Sequence, residues 1–70
     1  MYYEEFIDGS WQRLDLDAEM LCGRAHHLIY FASPEQWQRY PDWAQGRREE
    51  IIARIKSRLG HTNYEYDEAS

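Results

Sequence analysis

Apolar and polar residues alternate from Tyr2 to Ile7 and again from Trp11 to Leu16, with Asp8-Gly9 between the two runs. A period of two marks strands that bury one face. Asp-Gly is a strong two-residue turn signal because both positions tolerate positive φ. The pattern predicts a β-hairpin with Ile7 opposite Ser10, Phe6 opposite Trp11, Glu4 opposite Arg13 and Tyr3 opposite Leu14. An aromatic pair and an opposite-charge pair then support the register. The same register sorts the faces. Tyr3, Ile7 and Leu14 share one face, expected inward. Tyr2, Glu4, Phe6, Trp11 and Arg13 share the other, an aromatic and charged surface expected to be partly open.

From Asp17 the spacing changes. Leu21, Ala25, Leu28, Ile29 and Ala32 recur at helical intervals, so a helix capped by Asp17 and running to about Ala32 is expected. Gly23 weakens it by about 1 kcal/mol relative to alanine. The rival reading is a strand over Ala25 to Phe31, because His-Leu-Ile-Tyr-Phe suits a sheet. Ser33-Pro34-Glu35-Gln36 is a helix start with a capping box and proline at the first helical position. That helix ends near Tyr40, before Pro41. A longer helix is expected from Asp42 to Leu59, with Gly60 beyond its end. Its apolar face is Ala44, Ile51, Ile52, Ile55 and Leu59, and Arg48 projects into that face. A carboxylate of the hairpin or tail is the expected partner of Arg48, unless Gly46 breaks the helix. The alternating Thr62 to Tyr66 segment either adds a third strand to the hairpin or stays mobile.

These elements predict an α+β fold: an N-terminal β-hairpin, two or three helices, and a short third strand from the tyrosine-rich tail as an option. Seventy residues hold one domain. It is expected to span residues 1–66, followed by a disordered tail over 67–70.

Composition changes this picture in two ways. Three tryptophans, six tyrosines and two phenylalanines make 16% of the chain aromatic. Each can bury ~150–250 Å², so the core and a partner surface compete for them. The formal charge of −5 is also unevenly distributed. The first twenty residues hold six acids and only Arg13, and Glu65, Asp67 and Glu68 close the chain. Arg47, Arg48, Arg54, Lys56 and Arg58 lie between. Either the two ends neutralise this basic helix, or the polarity steers a partner. The single cysteine, Cys22, excludes an intrachain disulfide. With no basic leader and no long apolar run, a cytoplasmic location without membrane association is expected. Size and composition have the look of a short bacterial or phage-encoded protein.

The residues offer little for catalysis. Cys22 and His26 stand at i and i+4, with His61 as a conceivable third zinc ligand, but no second cysteine or HExxH accompanies them. Glu4-Glu5 and Glu49-Glu50 are sequence neighbours whose side chains diverge. The glycines are scattered, without a phosphate-binding loop. No enzyme activity, metal or cofactor is therefore expected. The expected role is a protein–protein interaction module, regulatory or inhibitory, with an unidentified protein or a second copy of the chain as partner. The anchors proposed for it are Trp11, Trp37, Tyr40, Trp43, Arg47, Arg54 and Arg58. The alternative is nucleic-acid binding through the stripe of Arg47, Arg54 and Arg58, against which the acidic net charge counts.

Overall fold

The computed structural model describes residues 1–21 and 26–68. Strands β1 (Tyr2–Ile7) and β2 (Ser10–Asp15) form an antiparallel hairpin in the expected register, from Ile7 opposite Ser10 to Tyr2 opposite Asp15. Asp8 and Gly9 both adopt positive φ, 50° and 84°, which matches the right-handed twist of the strands they connect.

The helix expected from Asp17 to Ala32 is not formed. Its described residues make two antiparallel strands, β3 (Asp17–Leu21) and β4 (His26–Tyr30). The helical reading needed Leu28 and Ile29 on one face. In β4, as in any strand, neighbours point to opposite faces, and Ile29 is fully buried while Leu28 is only partly covered. Phe31, two residues on, is buried like Ile29. The β-branched and aromatic content of this run decides its state once a pairing partner exists. Cys22, Gly23, Arg24 and Ala25 lie outside the described residues, as do Ala69 and Ser70.

The partner is distant in sequence. Strand β5 (Tyr64–Asp67) pairs with β4 in parallel, placing Ile29 beside Tyr66. The tail thus joins a second sheet of order β3-β4-β5 and not the hairpin. It runs through Asp67, whose carbonyl accepts from the Phe31 N–H at 2.8 Å. Parallel neighbours need a long crossover, usually helical. Here it comprises one turn of helix, α1 (Pro34–Trp37), a 3₁₀ turn (Asp42–Ala44) and one long helix, α2 (Arg48–Leu59). The described residues are therefore mixed α+β, with five strands in two small sheets and a single long helix, where two or three helices were expected.

Helix α1 starts as the sequence dictates. The Ser33 hydroxyl accepts from the Gln36 N–H, and the Gln36 side chain accepts from the Ser33 N–H, both at 3.2 Å. The helix expected to run unbroken from Asp42 is interrupted. Gln45 is extended and Gly46 has φ of 72°, so α2 begins only at Arg48. The interruption has a cause in packing. Trp37 is buried, and its indole N–H donates to the Ala44 carbonyl at 2.9 Å. The Gln45 amide donates to the carbonyls of Trp37 and Tyr40 at 2.9 and 2.8 Å. The chain has to wrap around the indole before it can start a new helix.

The core joins both sheets to α2. Tyr3, Leu14 and Leu16 come from the hairpin strand pair and its extension, Ile29 and Phe31 from the second sheet and its end, and Ile51, Ile52 and Ile55 from the helix. Phe31 stacks on Tyr66 with centroids 5.8 Å apart, which fixes β5 against the same cluster.

Gly46 is expected to resist substitution. An added Cβ would meet no atom within 4 Å, so Gly46→Ala isolates the cost of left-handed backbone, about 1–2 kcal/mol. Urea denaturation checks this, and an unchanged midpoint would mean the interruption before α2 does not need that conformation.

Candidate functional site

Charged and aromatic side chains gather at two places among the described residues: the joint between hairpin and helix, and the hairpin's outward face. The joint follows from alternation. Glu5 lies on the same side of β1 as Tyr3 and Ile7, so the strand carries a carboxylate toward the interior, leaving its side chain only 12% exposed. Desolvating a lone carboxylate would be costly. Arg47, at the start of α2, meets it with two bonds, Nη1 to Oε2 at 3.0 Å and Nη2 to Oε1 at 2.8 Å. The planar guanidinium fits a carboxylate in this bidentate way. Arg54 adds a bond from Nη1 at 3.1 Å, and the Tyr3 hydroxyl donates to the same Oε1.

Glu50 closes the cluster. It accepts from Arg47 Nη2 at 2.7 Å and lies 3.1 Å from Arg54 Nη2. Two acids and two bases therefore balance. The Arg47 hydrogen bond holds the Glu5 carboxyl below its ordinary range, and that of Glu50 likewise. The Tyr3 hydroxyl is pushed up, first by burial and then by Glu5. The same carboxylates raise Arg47 further.

The rest of the basic helix is also largely occupied. Arg48 does not meet a carboxylate as expected. Its Nε donates to the Ala32 carbonyl at 2.9 Å, and its Nη2 donates to the backbone carbonyl of Glu68. Because α2 starts at Arg48, this side chain leaves from the first turn toward the ends of β4 and β5, where strand carbonyls need donors. Lys56 pairs with the Glu68 carboxylate at 2.5 Å. Arg58 alone among these five cations makes no ion pair or hydrogen bond among the described residues. It lies at a groove of about 210 Å³ with Tyr2, Leu16, Ile55 and Leu59.

The outward face of the hairpin is the second surface. Tyr2, Phe6 and Trp11 are 53%, 61% and 66% exposed. Phe6 and Trp11 sit with ring centroids 5.4 Å apart at 55°, as a cross-strand pair near the turn. Arg13 lies over the Tyr2 ring at 4.1 Å, with its Nη2 3.9 Å from Glu4.

The residues proposed from sequence thus separate. Trp11 is on this open face. Trp37 is buried and closes a corner of the core, so it offers no surface. Tyr40 packs edge-on against it at 4.8 Å, and Trp43 is likewise half-buried against the core. Arg47 and Arg54 belong to the Glu5 cluster, and Arg58 stands apart. Sequence reasoning left out Glu5, although strict alternation from Tyr3 to Ile7 places it inward. Tyr2 and Phe6 were on the open face but not among the proposed anchors.

The histidines do not assemble a centre. His26 Nε2 is 3.6 Å from a Glu65 carboxylate oxygen, His27 stacks on Tyr64, and His61 meets Tyr66 edge-on. Among the described residues no three His, Cys, Asp or Glu side chains converge as metal ligands; of the Cys22 and His26 spacing weighed against a metal site, Cys22 lies outside them. No helix among those residues is long and apolar enough to cross a membrane. No family model matches this chain, and no curated protein or solved structure does either.

The Glu5 cluster makes two predictions. Glu5→Gln leaves Arg47 without its bidentate partner and is expected to cost about 1–3 kcal/mol in urea denaturation; an unchanged midpoint would remove the cluster from the fold's support. The pH dependence has a definite sign. Carboxyls with lowered folded-state values stabilise the fold fully above the unfolded value of about 4.3, and that stability is lost as pH falls through the folded values. Stability should therefore be level from neutrality to about pH 5 and drop below it. In Glu5→Gln the drop should be smaller, as followed by circular dichroism across an acid titration.

Proposed function

We propose that this protein is a protein–protein interaction module and that the outward face of its hairpin is the contact surface. The observation carrying this reading is the exposure of Tyr2, Phe6 and Trp11 on one side of a two-stranded sheet. Tyr and Trp are favoured interface anchors because they bring large apolar area at low entropic cost. The inward face of the same hairpin already supplies Tyr3 and Leu14 to the core, so the outward aromatics have no part in that packing. The same reading gives the module a regulatory or inhibitory role, exerted by occupying its partner.

Nucleic-acid binding through the arginine stripe is less well supported. Binding a phosphate backbone draws on cations free to displace counterions. Arg47 and Arg54 are held by Glu5 and Glu50, which leaves Arg58 from the stripe.

The test is a comparison of partners recovered from a native lysate. A stoichiometric protein retained by the wild-type chain, lost with Phe6→Ser/Trp11→Ser and kept by Arg58→Glu is the expected result. Thermal unfolding of the double variant guards against a folding artefact, because the cross-strand aromatic pair it removes contributes only about 0.2–1 kcal/mol. Recovery of nucleic acid that disappears with Arg58→Glu and at raised salt would overturn the proposal.

A further inference from the structure

The hairpin's outward face has two ends with related chemistry. At the end far from the turn, an aromatic ring and a carboxylate hold a guanidinium: Arg13 lies over Tyr2 and beside Glu4. At the turn end, Phe6 and Trp11 form the more exposed aromatic pair, and Asp8 sits in the turn that joins their strands. Among the described residues no cation lies over either ring, and the Asp8 carboxylate has no ion pair. The turn end therefore presents two exposed rings and, in the adjoining turn, an exposed carboxylate, with no guanidinium among the described residues.

Charge around the face points the same way. Exposed Asp8 and Asp15, with partly covered Glu4, outnumber Arg13 on the hairpin. A second copy meeting this face with its own hairpin would set acids against acids. A cationic side chain gains from both the ring quadrupole and the surrounding carboxylates. Arginine suits the site better than lysine, since its flat guanidinium stacks on a ring while donating at its edge. We infer that the partner presents an arginine-bearing segment, with one guanidinium seated on the Phe6–Trp11 pair beside Asp8. This rests on the reading of the hairpin face as the contact surface.

The test uses the full ¹⁵N-labelled chain and a blocked peptide of alternating arginine and glycine, against an otherwise identical citrulline–glycine peptide. Citrulline keeps the planar shape and removes the charge. The readout is the Trp11 indole N–H resonance, assigned through Trp11→Phe. The expected result is a saturable shift of Trp11 with the arginine peptide, with the Trp37 indole unmoved. Binding should be at least about fivefold weaker for the citrulline peptide, the size of one lost exposed cation–π contact, and about two- to fivefold weaker in Asp8→Asn, the size of one exposed charge contact. No Trp11 shift at millimolar arginine peptide would overturn the inference. So would equal binding of both peptides, or a Trp11 shift that appears on concentrating the protein alone. The last two outcomes would leave the hairpin as a contact surface while removing its cationic partner. A silent Trp11 in every arm, together with no partner dependent on Phe6 and Trp11, would remove both.

Discussion

The carboxylate of Glu5 is the point on which the hairpin and the long helix meet. A two-stranded hairpin is at best marginally stable alone, so β1 and β2 need a surface to lie on. That surface is α2, and the contact combines two kinds of interaction. Tyr3 and Leu14 enter the apolar cluster with Ile51, Ile52 and Ile55. Beside them, Glu5 takes both arms of Arg47 and one of Arg54. Apolar contact is non-directional, whereas a bidentate carboxylate–guanidinium pair has one good geometry. Glu5 thus fixes how the hairpin sits on the helix, while the apolar cluster supplies most of the attraction. At 12% exposure a single counter-charge would leave lone pairs unmet; Tyr3, Arg47 and Arg54 together satisfy them.

The same cluster explains the charge pattern along the chain. Acidic ends and a basic middle look like a surface built for a partner. Most of this polarity closes on itself. Arg47 and Arg54 take Glu5 and Glu50, while Arg48 and Lys56 take the backbone and side chain of Glu68. Strand β1 and the residue that follows β5, distant in sequence, are thereby tied to one helix through different cations. The acids outside these pairs include Asp8 and Asp15 of the hairpin and Asp17 of β3, and also Glu35, Asp42 and Glu49 of the crossover; those of the hairpin are the ones that lie beside exposed aromatic rings.

Local patterns were legible and distant ones were not. The hairpin could be read to its register because alternation, the Asp8-Gly9 turn and two cross-strand pairs all agree within sixteen residues. The Ser33 capping box was likewise contained in four. The segment from Asp17 to Ala32 misled because Leu28 and Ile29, adjacent apolar residues, fit a helical face on spacing alone. Its true state depends on β5, which arrives more than thirty residues later and pairs in parallel. The break before α2 was signalled only by Gly46, and its cause is the burial of Trp37 beneath Gln45, a tertiary contact. Glu5 was legible in principle. Alternation points it inward, and an inward carboxylate must have a cation; what the sequence could not name was which of five nearby cations it would be.

Commitment of the helix cations has a consequence for the aromatic residues as well. Trp37, Tyr40 and Trp43 lie around the Pro41 corner, where the loop between α1 and α2 is already held by the Gln45 amide and by Arg47 donating to the Trp43 carbonyl at 3.1 Å. Releasing any of them to a partner would uncover the core and loosen the Glu5 joint together. The outward rings of Tyr2, Phe6 and Trp11 carry no such obligation, because the side of the hairpin that holds the fold is the other one. A chain of seventy residues with one apolar core has few aromatics to leave exposed without cost to its stability. These three share a single strand-pair face with exposed acids beside them, and the proposed contact surface rests on that arrangement.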